Sequence, residues 1–433
     1  MSSFRNINFS VFTNALWVVA EKSLSIFGLI FVTSLVAKYI GPENFGKLIF
    51  VSSIFAILQT LSMFGSENII FQKTSLSLRV GQRIIETTAL IRNYIYIILS
   101  LLLNIYLYFT VDFLTFIYSL ATSIAVLFSL QDVYNIYFDA QLKSKLNVIC
   151  NTIGLGLSLF LRFIIVELHL NLYWFSMPII VLTLIPYLIR FYLYRKYKIK
   201  TKKIGKKNIS KYRGYMLVAG GNLVLYSLSI VIYTKVCQLF LGWKSQHELG
   251  IYSIAITLGT SYYFVLNAII SSYMTQVYRE KNIDKANNMV SLLNLIVFLI
   301  SLCAFLFIYI FGKDIIQWLY GSAYKEVNEI ILYMVVVCFF SGIATVADKY
   351  IIGFNGYKYL RNKNIFLVLF NIFLAFYLID YYGIYGAVIA IFITEVLSST
   401  VLTYFFKKGI VFKTQYKMFF LKGILLGRKD NAS

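Results

Sequence analysis

Lys22, Arg162, Lys235 and Lys349 lie inside stretches of sequence that are otherwise apolar, and so do Glu21, Asp132, Asp348 and Glu395. A charge at the centre of a bilayer costs at least about 2.5–3.5 kcal/mol and is kept where it faces water, a partner or a cargo. The four cations are therefore candidates for binding an anionic group, with Asn14, Asn151, Asn222, Tyr233 and Gln238 adding polar density to the same segments. Glu395, Asp132 and Glu21 are candidates for carrying a coupling proton. Structural pairing is the competing explanation. Glu21 and Lys22, like Asp348 and Lys349, are adjacent, so neither pair faces itself on a helix and each member is open to a bridge elsewhere. Lys349, near the end of its apolar stretch, can snorkel toward water. Glu395 has no adjacent basic residue and reads either as a protonatable switch or as a buried acid kept neutral.

Enzymatic chemistry finds little material. Gly41-Pro42-Glu43-Asn44-Phe45-Gly46-Lys47 follows the opening of a phosphate-binding loop, but Leu48 stands where Ser or Thr must hold magnesium. A tight turn between two membrane helices is the expected reading. His169 and His247 fall far apart in outer loops, so neither a metal site nor a cofactor is expected. Acyl or glycosyl transfer needs paired acids, or a nucleophile with its base, and the longest outer loop, 312–328, offers Lys313, Asp314, Lys325 and Glu326. No catalytic residue is assigned.

The elements that must position the charged residues are membrane helices. The 433 residues are 59% hydrophobic and 13% charged, with a mean hydropathy of +0.75. A soluble domain carries about 25% charged residues. Twelve apolar runs stand out, at about 11–38, 45–66, 89–110, 113–138, 146–168, 172–194, 215–241, 249–277, 288–311, 329–354, 364–381 and 384–406. Barrel strands would alternate over about ten residues instead of running apolar for twenty, so the fold expected is an all-α integral membrane bundle. Pro178 and Pro186, Gly154-x-Gly156 and Gly220-Gly221 mark places where helices kink or approach closely.

Charge sets the expected orientation. Lys and Arg number 40 against 18 Asp and Glu, a net +22. With the N-terminus inside, the even loops and tails hold 29 basic residues, among them Lys358, Arg361 and Lys363, and the odd loops hold 3. Both termini are expected in the cytoplasm. Insertion and contact with membrane lipids explain most of the excess charge, and no nucleic-acid partner is expected. The basic stretch 195–214 divides a six-helix lobe, 1–194, from a second, 215–406. A basic tail, 407–433, alternates cations with large apolar residues from Lys413 onward and reads as an interfacial helix. Cys150, Cys237, Cys303 and Cys338 fall in apolar runs and are expected to pack. Residues 1–10 lack the apolar core of a cleaved leader, so the first helix is expected to be permanent.

The halves carry a faint repeat. Gly41 through Leu48 and Gly242 through Ser253 each give a glycine, a short polar loop, and an apolar-Gly pair opening the next helix. The stretch Asn14-Ala-Leu-Trp17, Glu21-Lys22 and Val36 through Gly46 resembles the opening of Wzx-type polysaccharide flippases, in the superfamily that also holds MATE drug exporters and lipid II flippases. Leu249-Gly250-Ile251-Tyr252-Ser253, Ile315 through Tyr324 and Tyr382-Gly383-Ile384-Tyr385-Gly386-Ala387-Val388 resemble later signatures of that family, in order. His169-Leu170-Asn171 stands where the second half has its glycine-rich turn.

The resemblance implies a MATE-like fold of two six-helix lobes around a cationic cavity, working by alternating access in a bacterial inner membrane. It implies a cargo of undecaprenyl diphosphate carrying an oligosaccharide repeat unit for O-antigen or capsule, with a polysaccharide polymerase and a chain-length regulator as partners. A MATE-like drug exporter, the alternative, would show a cavity rich in acids and poor in cations. A membrane-embedded polysaccharide polymerase would show a long charged outer loop.

Overall fold

The computed structural model describes residues 9–199 and 206–418; within its helices, the side chains of 9–29, 31, 32, 206–211, 215, 217–219, 222, 226 and 408 lie outside that description. Contacts divide the chain into two units, Met1–Ile232 and Tyr233–Ser433. The first is built from α1 (Phe9–Met63), α2 (Ser66–Leu76), α3 (Leu78–Thr110), α4 (Phe113–Gln131), α5 (Tyr134–Asp139), α6 (Ser144–Glu167), α7 (Ser176–Tyr197) and most of α8 (Lys206–Lys244). The second continues with α9 (Gln246–Gly259), α10 (Tyr263–Arg279), α11 (Ile283–Tyr320), α12 (Val327–Gly353), α13 (Tyr357–Ser399), α14 (Val401–Tyr404) and α15 (Ile410–Lys417). Among the described residues all regular structure is helical.

Among the described residues nine helices are long and apolar enough to cross a membrane, and α9 with α10, bent by 41°, makes a tenth if the pair is one span. The difference from the twelve expected runs lies at two glycines, where one continuous helix hides a break. Gly41 interrupts α1 at φ 74°, ψ 169°, and Gly383 interrupts α13 at φ 55°, ψ −128°. Both conformations are open to glycine and strained for other residues. Pro42 then occupies the first turn of the restarted helix, where its missing N–H costs nothing.

Both ends of the basic stretch 195–214 are helical, since α7 runs to Tyr197 and α8 opens at Lys206; residues 200–205 lie outside the described residues. The boundary between units falls inside α8 because the earlier part of that helix belongs to the first core. Met216 joins Ile69, Ile70, Ile84, Ile85, Val133 and Tyr194 there, and Arg213 Nε donates to the Thr87 carbonyl at 3.2 Å.

Small residues permit the tight crossings expected of them, though not at every glycine. A Cβ at Gly154 would sit 2.5 Å from the Pro186 ring, and one at Gly220 would strike the Phe64 carbonyl, whereas Gly156 faces open space. The second core gathers Leu266, Val290, Val297, Val346, Tyr350 and Val411. Of the cysteines, Cys150, Cys237 and Cys338 are buried as expected, but Cys303 is exposed, and all four are free. From the tail, α15 packs Val411 into the second core, and residues 419–433 lie outside the described residues.

Candidate functional site

The candidate cations meet four different fates. Arg162 lies on α6, partly buried within the span Ser144–Glu167, and makes no hydrogen bond or ion pair among the described residues. Lys235 on α8 donates to Gln238 Oε1, one turn away, at 2.8 Å. Lys349 on α12 donates to Ser271 Oγ on α10 at 2.6 Å, which ties two helices together. Lys22, with Glu21, belongs to the part of α1 whose side chains lie outside the described residues.

Asp132 is ion-paired. Its carboxylate, 6% exposed at the end of α4, receives hydrogen bonds from Arg190 Nε at 3.0 and 2.8 Å and a third from Nη2. Nη1 of the same guanidinium donates to Asn151 Oδ1 on α6 at 2.8 Å. One buried knot thus joins α4, α6 and α7. A bidentate fork is the geometry in which the attraction of a buried pair best offsets the loss of water.

The second unit has a counterpart built from different helices. Lys363, 5% exposed, donates to Asp348 Oδ1 on α12, and contacts the Ser398 carbonyl at 3.3 Å and hydroxyl at 3.4 Å. Lys363 was expected in a cytoplasmic loop. Instead α13 starts at Tyr357, several residues before the expected 364, and carries Lys363 inward on its second turn. Nearby on α13, Glu395 is 9% exposed, and its Oε1 accepts from the Tyr233 hydroxyl on α8 at 2.8 Å. Glu395 makes no ion pair among the described residues.

Two buried arginines escaped the sequence reading. Arg190 sits four residues after Pro186 inside an apolar run, and Arg92 lies near the start of another. Arg92 is 2% exposed; Nη1 donates to Thr88 Oγ1 at 2.9 Å while Nε is buried without a partner. A repeat could have pointed to the knots: Asp132-Val133-Tyr134 with Phe138, and Asp348-Lys349-Tyr350 with Phe354, share one spacing. Each motif also has a tyrosine–amide bond beside it, Gln82 Nε2 donating to Tyr137 at 2.8 Å in one unit and Tyr350 donating to Asn287 Oδ1 at 2.5 Å in the other. Among the described residues no group of three or more His, Cys, Asp and Glu side chains gathers as metal ligands would.

Two helical units, spans broken at glycines and ionisable knots within them define a multi-pass membrane protein, and solved structures share its fold. One described as lipid II flippase MurJ in an inward closed conformation superposes with a TM-score of 0.73 at 14% identity, covering 96% of this chain and 93% of that one. An outward-facing multidrug resistance MATE family transporter of the MOP superfamily gives 0.53 at 14% identity, covering 96% of each. The eukaryotic MATE transporter AtDTX14 gives 0.51 at 13% identity, again covering 96% of each. The fold is therefore MATE-like. Residues 35–329 match the model of a family described as polysaccharide biosynthesis protein, and the chain belongs to that family. No curated protein matches the chain in sequence.

Proposed function

We propose that this protein is a flippase, not an enzyme, which moves undecaprenyl-diphosphate-linked oligosaccharide repeat units of O-antigen or capsule from the cytoplasmic to the outer leaflet of a bacterial inner membrane by alternating access. The observation that carries the reading is Arg162. Arg190 and Lys363 have carboxylate partners, and Lys235 and Lys349 have neutral oxygens. Arg162 has no side-chain partner among the described residues, which leaves its fork available to an anionic cargo. A diphosphate offers oxygens that suit a guanidinium, and the low dielectric of the span strengthens that attraction. Membership of a polysaccharide biosynthesis family and a fold shared with a lipid II flippase support the same cargo class.

Lys22, Lys235 and Lys349 are retained as further contacts to the anionic group. For proton coupling Glu395 is the preferred residue, because a tyrosine holds it where a cation holds Asp132; Glu21 is the third candidate. Both termini are placed in the cytoplasm, where 195–214 and 407–433 meet anionic headgroups. A polymerase and a chain-length regulator are the expected protein partners. A MATE-like exporter of cationic drugs fits less well, since a free guanidinium in a span repels such cargo.

The test is complementation. The gene is deleted in its host and wild type or Arg162→Ala is returned at matched expression, with lipid-linked units and surface polymer followed. Loss of polymer with units trapped on the cytoplasmic face supports flipping. Normal polymer in the deletion strain would overturn it.

A further inference from the structure

At one end of the second unit lies an open cavity of about 340 Å³ whose lining includes Tyr278, Glu280, Tyr350, Gly353, Phe354 and Tyr357. Small-molecule sites begin at about 300 Å³. Its depth in a membrane follows from the helix ends. The cavity lies where α10 stops at Arg279, α11 starts at Ile283, α12 stops at Gly353 and α13 starts at Tyr357, and the ends of membrane-spanning helices meet the headgroup region. Gly353 lets Tyr278 pack close against the chain, because a Cβ there would lie 3.1 Å from the Tyr278 ring and push it aside.

The wall is aromatic with one carboxylate. The Tyr278 hydroxyl is engaged by the Lys349 carbonyl at 2.7 Å and that of Tyr350 by Asn287, so both residues enter the wall as ring surfaces and not as free hydroxyls. Glu280 accepts one hydrogen bond, from the Asn282 N–H at 2.9 Å, and makes no ion pair among the described residues. Lys407 Nζ stands 4.5 Å from the centre of the Phe354 ring, so this wall already engages one ammonium. Outside, Arg279, Lys281, Lys285 and Lys358 are exposed and make no ion pair among the described residues.

Aromatic rings with a carboxylate suit a cation inside, and unpaired Lys and Arg suit an anion outside. An acyl chain would leave Glu280 unmatched, and a lone phosphate would be repelled by it. A primary ammonium can donate to the carboxylate, which a quaternary one cannot. We infer that the cavity formed by α10, α11, α12 and α13 binds the phosphoammonium headgroup of a membrane lipid, with its ammonium against Glu280 and the rings and its phosphate on the surrounding cations. This inference is independent of the flippase reading.

The experiment uses purified full-length protein in detergent, with phosphatidylethanolamine, phosphatidylglycerol or phosphatidylcholine of matched chains added, and reads the melting midpoint together with lipid retained in native mass spectrometry. Phosphatidylethanolamine is expected to be retained several-fold over the other two and to raise the midpoint more. Glu280→Gln and Tyr357→Ala are each expected to erase that preference while melting like wild type without lipid, and Gly353→Val to erase it by displacing the Tyr278 ring. Equal retention of phosphatidylglycerol, or an unchanged preference in Glu280→Gln, would overturn the assignment. Soluble phosphoethanolamine stabilising the protein as well as the lipid does would move the ligand from membrane to solution and overturn the lipid source.

Discussion

Arg190 Nε lies 3.0 and 2.8 Å from the two carboxylate oxygens of Asp132, across 58 residues of sequence, with both side chains almost wholly buried. Removing one partner of such a pair strands the other charge, at a cost of about 3–5 kcal/mol. Arg190→Ala or Asp132→Ala is therefore expected to lower the melting midpoint in detergent strongly. The joint replacement Asp132→Leu with Arg190→Met should recover most of it, and a double-mutant cycle on the midpoints checks the coupling.

Arg162 should behave in the opposite way. With no partner among the described residues to strand, Arg162→Ala is expected to lose much less stability than Arg190→Ala and to lose export. Arg162→Lys keeps the charge without the planar fork and should restore export in part. Surface polymer at matched expression is the readout.

Glu395 and Tyr233 form the proton-coupling candidate. Glu395→Gln keeps the size of the side chain and its hydrogen-bonding oxygen but cannot ionise. Transport by this variant is expected to lose its dependence on external pH, while Asp132→Asn changes stability first. Flipping rates in vesicles at varied pH distinguish the two.

Asp112 caps α4 from outside the spans, accepting from the Thr115 N–H at 3.3 Å and from Lys47 at 3.1 Å. Partial burial pushes its pKa upward, but the bonds from Thr115 and Lys47 outweigh that and hold the carboxyl below its usual value. A depressed carboxylate stabilises the fold above its ordinary pKa and loses that contribution as pH falls through the lowered one. Asp112→Ala should cost about 1 kcal/mol near neutral pH, as lost caps do, and the difference from wild type should shrink in strong acid. Melting as a function of pH checks both.

The two helix breaks should differ in tolerance. A Cβ at Gly41 meets nothing within 4 Å, whereas one at Gly383 would lie 2.7 Å from Glu248 Oε2. Both substitutions carry backbone strain of about 1–3 kcal/mol; Gly383→Ala adds displacement of a carboxylate and is expected to melt lower than Gly41→Ala.

Much of the fold was legible in sequence because hydrocarbon imposes one demand on each span separately. Every run of apolar residues must satisfy its own backbone, so composition alone marks helices and their turns. The expected run 384–406 opens one residue after the break at Gly383, and the expected run 45–66 follows the break at Gly41. The tight crossing at Gly154 was legible too, since only a small residue admits the Pro186 ring. The family was legible for the same local reason, in short turns quoted in order along the chain.

Pairing of the charges was not legible, and only the tertiary structure decided it. Asp132 read as a candidate proton carrier until Arg190 arrived from α7, Lys363 read as a loop residue until α13 turned it onto Asp348, and Arg162 and Lys235 read alike until Lys235 met Gln238. Whether a charge in a span is satisfied or free depends on atoms within about 4 Å of it, which belong to helices tens of residues away in sequence. The span itself is a property of consecutive residues, whereas the partner of a charge is a property of packing.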